Sequence, residues 1–292
     1  MPKKRQFAVQ YFFEKPRQHY GVACVFRLVQ TQNILLASPL DQNVALILSV
    51  IQKHVLVDDR FAEHEIILNR HANGEDWWMI STLRNSNEYA VYLIDSTGVM
   101  MTSIQAIGIT DDRWSRGGGQ SVFGSLGQKL VRWNTVSGLQ LFDFDRETGM
   151  LSNSEFYPSP LMGGRDFLSG GVGVSPSGQY AYVSTVLDVY QYDLWAEDIG
   201  VSQLHIAEIG NPDSLWIGVA PTAFNFQLGP DCKLYSYTNT GLENHIIHQP
   251  YERGDACEWD SSGWSRPDGE SSLSLCLSLY TLSVVFKKFY NK

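Results

Sequence analysis

Short runs of alternating hydrophobic and polar residues, each following a tight turn, recur through the middle of the chain. The clearest example extends from Gly171 to Ser184 and continues at Asp188–Asp193. Within it, the Ser-Pro-Ser-Gly sequence of 175–178 predicts a turn, because proline presets one φ angle and glycine supplies a positive one. The β-branched and aromatic residues on either side have a period near two, which predicts strands. The stretch is therefore expected to fold as strand, turn, strand, loop and strand.

The same unit occurs four times when the chain is aligned on the turn glycine. Gly74, Gly127 and Gly178 occupy this position in the first three copies, and Cys232 occupies it in the fourth. The intervals between these positions are 53, 51 and 54 residues. A nearly constant interval of this size is typical of a solenoid, a propeller or a tandem array.

Each copy contains four short strand-like segments. The first precedes the turn glycine, the second follows it, the third comes after a short loop, and the fourth comes after a further turn. The third segments are Tyr89–Asp95, Leu139–Asp145, Val189–Asp193 and, more weakly, Asn244–His248. No copy contains ten residues with helical periodicity, whereas four antiparallel strands in about fifty residues fit a propeller blade. The predicted fold is all-β: a β-propeller of four-stranded antiparallel blades, with four clear repeats and a degenerate extra blade as an alternative.

The repeats divide the chain into three regions. Residues 1–54 are an N-terminal segment of uncertain fold or a degenerate blade, in which Val44–Ile51 could supply a buried strand. Residues 55–250 are the blades. Residues 251–292 are an atypical tail that we expect to pack poorly on the propeller. Its Ser271–Phe286 stretch has two alternative interpretations, a tail anchor or a strand with one buried face.

The composition and net charge favour a folded β protein and argue against some classes of partner. Apolar residues make up 43% of the chain and aromatic residues 12%, which favours a folded β protein. The formal net charge of −9 argues against nucleic acid or an anionic membrane as the main partner. No apolar stretch follows the basic residues 3–5, so no signal peptide is visible. None of the cysteines is spaced as in a zinc site, and their disulfide state stays open: Cys24, Cys232, Cys257 and Cys276.

Four residues around the first turn form the candidate ligand-binding set. His71 and Asp76 flank this turn, and Trp77 and Trp78 follow it directly. One interpretation is a ligand site at the propeller face, in which an aromatic ring stacks on a sugar or a peptide. The other, which we favour, is a capped turn whose tryptophans alternate into the two interfaces between blades. No catalytic residue, metal ligand or cofactor is predicted.

The other polar and glycine-rich stretches show weaker site signals. Asp95, Asp145 and Asp193 recur at one position of the blade, either as a ring of cation ligands or, as we favour, as caps that accept backbone N–H groups of the next turn. No common spacing relates the four histidines at 64, 205, 245 and 248. The glycine-rich loops at 117–119 and 163–171 match no phosphate-binding motif, and no G-x-S-x-G or H-E-x-x-H sequence is present.

These motifs resemble a known group of propellers. The stretch from Ser175 to Ser184, and more weakly Leu228–Tyr235, resembles the YVTN/lactonase-like and WD40-like propellers, whose blades carry a similar turn before an alternating strand. Residues 69–78, 171–193 and 227–231 are similar to propeller segments of secreted bacterial surface proteins that end in a type IX secretion sorting domain. Because such proteins have a signal peptide, more blades and a sorting module, we expect this chain to be a fragment of a longer protein.

The resemblance implies an extracellular or cell-surface propeller. Together with the missing catalytic motifs, it favours a non-catalytic scaffold that binds a protein, a peptide or a glycan, with no nucleic acid and no membrane insertion. One alternative is a lactonase-like or other hydrolase with a metal in the central channel. Another is a truncated product without independent activity.

Overall fold

The computed structural model describes the strands and turns of the repeats. Side chains and backbone are described for residues 66–110, 119–135, 137–160, 170–185, 187–209, 223–236 and 244–261, with Gly263. The backbone alone is described for several further strands. Three of these form an antiparallel sheet near the N-terminus: β1 (Gln6–Tyr11), β2 (Val22–Leu28) and β3 (Leu48–Leu56).

Four antiparallel sheets of four strands follow, and each corresponds to one sequence repeat. Their strands are β4 (Phe61–Arg70), β5 (Trp77–Leu83), β6 (Glu88–Ile94) and β7 (Val99–Ala106); β8 (Gln120–Phe123), β9 (Lys129–Asn134), β10 (Gly138–Asp145) and β11 (Met150–Tyr157); β12 (Val172–Val174), β13 (Tyr180–Ser184), β14 (Asp188–Asp193) and β15 (Leu204–Glu208); β16 (Phe226–Leu228), β17 (Leu234–Tyr237), β18 (Glu243–Ile247) and β19 (Trp259–Ser265). Every sheet is a meander in sequence order. The sheets are the four blades of a β-propeller, which confirms the predicted fold class.

The turn between the first and second strands is the same in all four blades. A backbone N–H at its fourth position donates to the carbonyl at its first, as from Gly178 to Ser175 and from Cys232 to Gly229. The φ angles at the aligned positions are 74°, 70° and 81° for the three glycines and 65° for Cys232. Glycine adopts this left-handed conformation without strain, whereas a side chain raises its energy. The alignment that placed Cys232 at the turn position is therefore confirmed.

Hydrophobic side chains bury the faces of neighbouring blades against each other. Strands β4, β8, β12 and β16 are the innermost of their sheets, and each contacts the next in this order. Alternate residues of one strand point to opposite neighbours. In β9, Leu130 belongs to the cluster shared with the first blade, while Val131 and Trp133 belong to the cluster shared with the third. This alternation is the physical reason for the period of two in the sequence.

Hydrogen bonds between blades run mostly from a side chain to the main chain of a neighbouring blade. The indole N–H of Trp133 donates to the carbonyl of Ser184, and the amide of Asn69 donates to the carbonyl of Gly127. Gln120 joins three blades. Its Oε1 accepts from the N–H groups of Val172 at 3.0 Å and Phe226 at 2.9 Å, and its Nε2 donates to the carbonyl of Phe226 at 2.7 Å.

The fourth blade extends further than the predicted boundary at residue 250. Its outer strand β19 lies within the region that the sequence analysis assigned to the atypical tail, and a short 3-10 helix at Gly254–Cys257 precedes it. The strand was missed because its sequence, Trp-Asp-Ser-Ser-Gly-Trp-Ser, lacks the alternation of a strand with one apolar face. The predicted tail-anchor stretch Ser271–Phe286 lies outside the described residues. Within the part of the chain that is described, no helix has the length and apolar character needed to cross a membrane.

Candidate functional site

The turns of the blades form two opposite faces of the propeller. In a four-stranded meander, the turns between strands one and two and between strands three and four lie at the same end of the sheet. We call the surface formed by these turns the turn face. It contains the whole candidate set around residues 71–78.

The recurring aspartates cap turns on this face. The carboxylate of Asp95 accepts the backbone N–H groups of Thr97 and Gly98 and the Thr97 hydroxyl. Asp145 accepts the N–H of Glu147 and the hydroxyl of Thr148, and Asp193 accepts the N–H of Trp195. The Thr97 and Thr148 hydroxyls, with these backbone groups, hold the pKa values of Asp95 and Asp145 below the usual aspartate value. The interpretation of these residues as turn caps is thus confirmed.

Side-chain hydrogen bonds also fix the turn at residues 71–76. Asn73 Oδ1 accepts the N–H groups of Glu75 and Asp76, and Asn73 Nδ2 donates to the Asp76 carboxylate at 2.6 Å. The N–H of Asn73 donates to Nδ1 of His71. His71 and Asp76 are therefore engaged within the turn itself, and each keeps part of its side chain accessible to solvent.

The two tryptophans point to opposite faces of the first blade. Trp78 is 3% exposed, lies in the interface with the second blade and makes an edge contact with the ring of Phe144. The imidazole of His71 stacks on it with ring centres 5.1 Å apart. Trp77 packs on the opposite face, against a cluster that contains Met79. Trp78 thus offers a ligand almost no surface, and the role of the four residues in ligand binding stays a prediction.

Arg146 connects this turn to the second blade. Its guanidinium donates to the main-chain carbonyls of Arg70 at 2.9 Å, His71 at 3.3 Å and Leu126 at 3.4 Å. Its own carbonyl accepts the N–H of Ala72 and the indole N–H of Trp78. Four of these hydrogen bonds join the first blade to the turn that contains Arg146, and the fifth joins two turns of the second blade, so this part of the turn face is expected to be rigid.

A shallow groove of about 480 Å³ lies beside this junction. Ala72 and Phe144 are among the residues that line it, and Asp143, Asp145 and Glu147 add acidic residues to the lining. Lys129 binds the carboxylate of Asp143 at 2.8 Å and holds its pKa below the usual value. The groove can accommodate a side chain of a bound partner, but it contains no nucleophile paired with a base.

The third blade presents an exposed tryptophan on the same face. Its turn between β14 and β15 spans residues 194–203, and Trp195 in this turn is 65% exposed. The turn is well fixed: Asp193 caps the N–H of Trp195, Asp198 caps that of Val201, and the Ser202 hydroxyl donates to the carbonyl of Ile199. Val201 is 81% exposed, so this ordered turn holds two large apolar side chains in water.

The described histidines lie apart from one another in different hydrogen-bonded pairs. His205 bonds to Asp188 at 2.8 Å in the third blade, whereas His248 contacts Lys233 and Asp260 in the fourth. His245 is buried and stacks on Trp259, and the side chain of His64 lies outside the described residues. Among the residues with described side chains, no three His, Cys, Asp or Glu side chains are grouped to hold a metal ion. Cys232 and Cys257 are both free thiols.

Two residues of the turn face were not found from the sequence. Arg146 gave no signal, because its partners are main-chain carbonyls that lie 20 to 76 residues away. Trp195 could have been found, because it directly follows the recurring aspartate Asp193 in a turn longer than those of the first two blades.

No protein-family model matches the chain, and no curated protein sequence matches it. Among solved structures, the chain is similar to a Bacteroides fragilis protein provisionally assigned as a 6-phosphogluconolactonase. The two are 12% identical with a TM-score of 0.51, and the similarity covers 88% of this chain and 66% of that protein. A protein from Lactobacillus plantarum is 13% identical with a TM-score of 0.49, over 83% of this chain and 64% of that one. A Bacteroides uniformis protein with the same provisional assignment is 13% identical with a TM-score of 0.45, over 85% and 64%.

The chain spans no more than 66% of the length of these proteins. At such identities the similarity concerns the fold, and the expected resemblance to lactonase-like propellers is confirmed at that level. The chain therefore has the β-propeller fold that its own sheets show.

Proposed function

We propose that this propeller is a non-catalytic scaffold that binds a protein or peptide partner through its turn face. The observation that carries the proposal is the 65% exposure of Trp195 in a turn fixed by its own hydrogen bonds. Tryptophan is enriched among the residues that dominate binding energy at protein interfaces. A rigid turn loses little conformational entropy when it binds, so this side chain is well suited to act as an anchor.

The rest of the turn face supports this proposal. Leu126 is 73% exposed beside the Arg146 junction, and Tyr251 is 48% exposed in the corresponding turn of the fourth blade. Glu197 and Asp198 are exposed next to Trp195. Apolar anchors with carboxylates around them favour a partner segment that contains apolar and basic residues, because opposite charge steers the encounter.

The test compares two aromatic truncations on arrays of peptides and glycans. Wild type is expected to bind a set of basic, apolar peptides, and Trp195→Ala is expected to lose at least tenfold in affinity for them. Phe156→Ala is the control, because Phe156 is 39% exposed on the outer strand β11, away from the turn face. Equal binding by Trp195→Ala and wild type would refute the proposal, and binding confined to glycans would replace the partner class.

A second candidate is a lactonase-like hydrolase, which is favoured by the similarity in fold to the B. fragilis protein. Lactone turnover by wild type that depends on added divalent cations and survives Trp195→Ala would favour it over the scaffold.

For the scaffold we also propose an extracellular or cell-surface location, which follows from the resemblance of the repeats. Fractionation of the source cells would test that location.

A further inference from the structure

We propose that the side-chain amine of Lys233 is a covalent acceptor for an acyl group, which it takes from a small, uncharged thioester with the imidazole of His248 as general base. The reaction modifies the chain itself. It uses neither Trp195 nor a bound partner, so the inference goes beyond the scaffold function and does not depend on it.

Three side chains of the fourth blade lie in a row beside the turn face. Lys233 ends the turn before β17, His248 follows β18, and Asp260 lies on β19. The Lys233 amine is 3.0 Å from Nδ1 of His248, and Nε2 of the same ring is 3.5 Å from the Asp260 carboxylate. The row therefore runs from an amine nucleophile through a base to a carboxylate.

The contacts fix which atom of His248 is the base. A lysine ammonium can only donate, so Nδ1 of His248 accepts and the ring proton lies on Nε2, toward Asp260. The His248 and Asp260 side chains are 29% and 45% exposed, so a small reagent can reach the row. A nucleophile within hydrogen-bond reach of a base, with the base oriented by a third group, is the arrangement that activates side-chain nucleophiles.

Lys129 occupies the same position in the second blade and provides the contrast. In both blades the carbonyl of the lysine accepts the N–H of the first turn residue, which is Gly124 for Lys129 and Gly229 for Lys233. The residue opposite Lys129 on the next strand is Asp143, whose carboxylate lies 2.8 Å from the amine. This ion pair holds the Lys129 amine in its charged, non-nucleophilic form, whereas the imidazole beside Lys233 can take a proton from it.

The reaction is an acyl transfer. The neutral amine of Lys233 attacks the thioester carbonyl carbon, and the new C–N bond leaves a positive charge on the nitrogen. Nδ1 of His248 removes a proton from this nitrogen, the C–S bond breaks, and the imidazolium returns the proton to the departing thiolate. The products are an amide on Lys233 and a free thiol, and the step needs no oxidant or reductant.

Asp260 is a positioning residue in this reaction, because its carboxylate faces Nε2 of His248 and stabilises the imidazolium that forms. A second carboxylate, that of Asp231, lies 3.4 Å from the backbone nitrogen of Lys233. The two carboxylates repel an anionic acyl donor, so the class of donor that fits this surface is an uncharged acyl thioester.

The test measures acetylation of the full chain by the acetyl thioester of N-acetylcysteamine, and peptide mass spectrometry follows the rate at each lysine. Lys233 is expected to react about tenfold faster than Lys129. His248→Gln keeps a hydrogen-bond acceptor beside the amine but removes the base, and it should bring the rate at Lys233 down to about that at Lys129. Equal rates at the two lysines in wild type, or a Lys233 rate that His248→Gln leaves unchanged, would overturn the proposal.

Two comparisons separate the chemistry from folding. The rate at Lys129 should be the same in wild type and His248→Gln, because unfolding would release Lys129 from Asp143 and speed its labelling. Asp260→Asn should lower the Lys233 rate by about two- to fivefold, but should have no further effect in the His248→Gln background, since Asp260 acts only through the imidazole. If His248→Gln unfolds, Asp260→Asn alone decides, and a Lys233 rate equal to that of wild type overturns the proposal.

Discussion

Gln120 is expected to contribute strongly to stability, because its amide group bonds to the main chains of the third and fourth blades. Replacing it with methionine keeps a side chain of similar length but removes both polar atoms. The N–H groups of Val172 and Phe226 and the carbonyl of Phe226 then lose their partner. Water cannot easily replace the amide there, because the backbone of Gly171 passes so close that a Cβ on it would lie 2.6 Å from Gln120 Oε1.

The magnitude follows from these three bonds. Each contributes about 1 kcal/mol net, and a buried donor left without an acceptor costs about 1–3 kcal/mol. Since the Gln120 side chain keeps some contact with solvent, we expect Gln120→Met to lower the free energy of unfolding by about 2–3 kcal/mol. For a chain of this size, that loss corresponds to a fall in melting temperature of roughly 5–10 °C.

Urea denaturation followed by tryptophan fluorescence measures this loss. Gln128→Met is the control, because Gln128 is exposed on the turn face, and it should change the unfolding free energy by less than about 0.5 kcal/mol. Hydrogen exchange at Val172 and Phe226 should become faster in Gln120→Met. If the two methionine variants unfold at the same urea concentration, the prediction that Gln120 stabilises the protein by joining three blades is wrong.

Three further predictions concern turns. Gly149→Ala should destabilise the protein by about 2–4 kcal/mol in urea melts, because the φ of Gly149 is +73° and the new Cβ would lie 2.8 Å from the Trp78 ring. Gly74 has a similar φ of +74° but open space around it, so Gly74→Ala should lower the free energy of unfolding by only about 1 kcal/mol. Equal losses in the two variants would contradict the steric argument. Cys232→Gly should raise the unfolding free energy by up to about 1 kcal/mol, because glycine adopts the positive φ at this position without strain. A lower melting temperature than that of wild type would contradict this prediction. The pKa of Asp95 is lowered in the folded state, so its contribution to stability is complete above about pH 4 and is lost as the pH falls through the folded-state pKa. Asp95→Asn should therefore flatten the dependence of the unfolding free energy on pH in this range. An unchanged slope would show that protonation of the Asp95 cap is not linked to folding.

The blades could be predicted from the sequence because their signals are local. A turn with a positive φ at its fourth position and a strand of period two fall within about ten residues of each other, as in Ser175–Ser184. The aspartate caps are local as well, since Asp95 bonds to residues two and three positions further on. The even spacing of these signals then gave the number of clear repeats.

The contacts between blades could not be predicted because their partners are distant and lack a side-chain signature. Gln120 bonds to Phe226, 106 residues away, and Arg146 bonds to the carbonyl of Arg70, 76 residues away. A main-chain acceptor is present at every position, so the sequence does not reveal which one is used. Strand β19 was missed for another reason, because an outer strand with a solvated face lacks a continuous apolar pattern.

The preference for main-chain acceptors between blades has a consequence for how such a protein can change over time. A carbonyl is supplied equally by every amino acid, so the residue at position 184 can be exchanged without removing the acceptor that the indole of Trp133 uses. One copy of the repeat can thus accumulate substitutions while the side chains of the adjoining copy retain their hydrogen bonds to its main chain. Descendants of a duplicated unit are free to diverge far in sequence and still assemble around a shared axis.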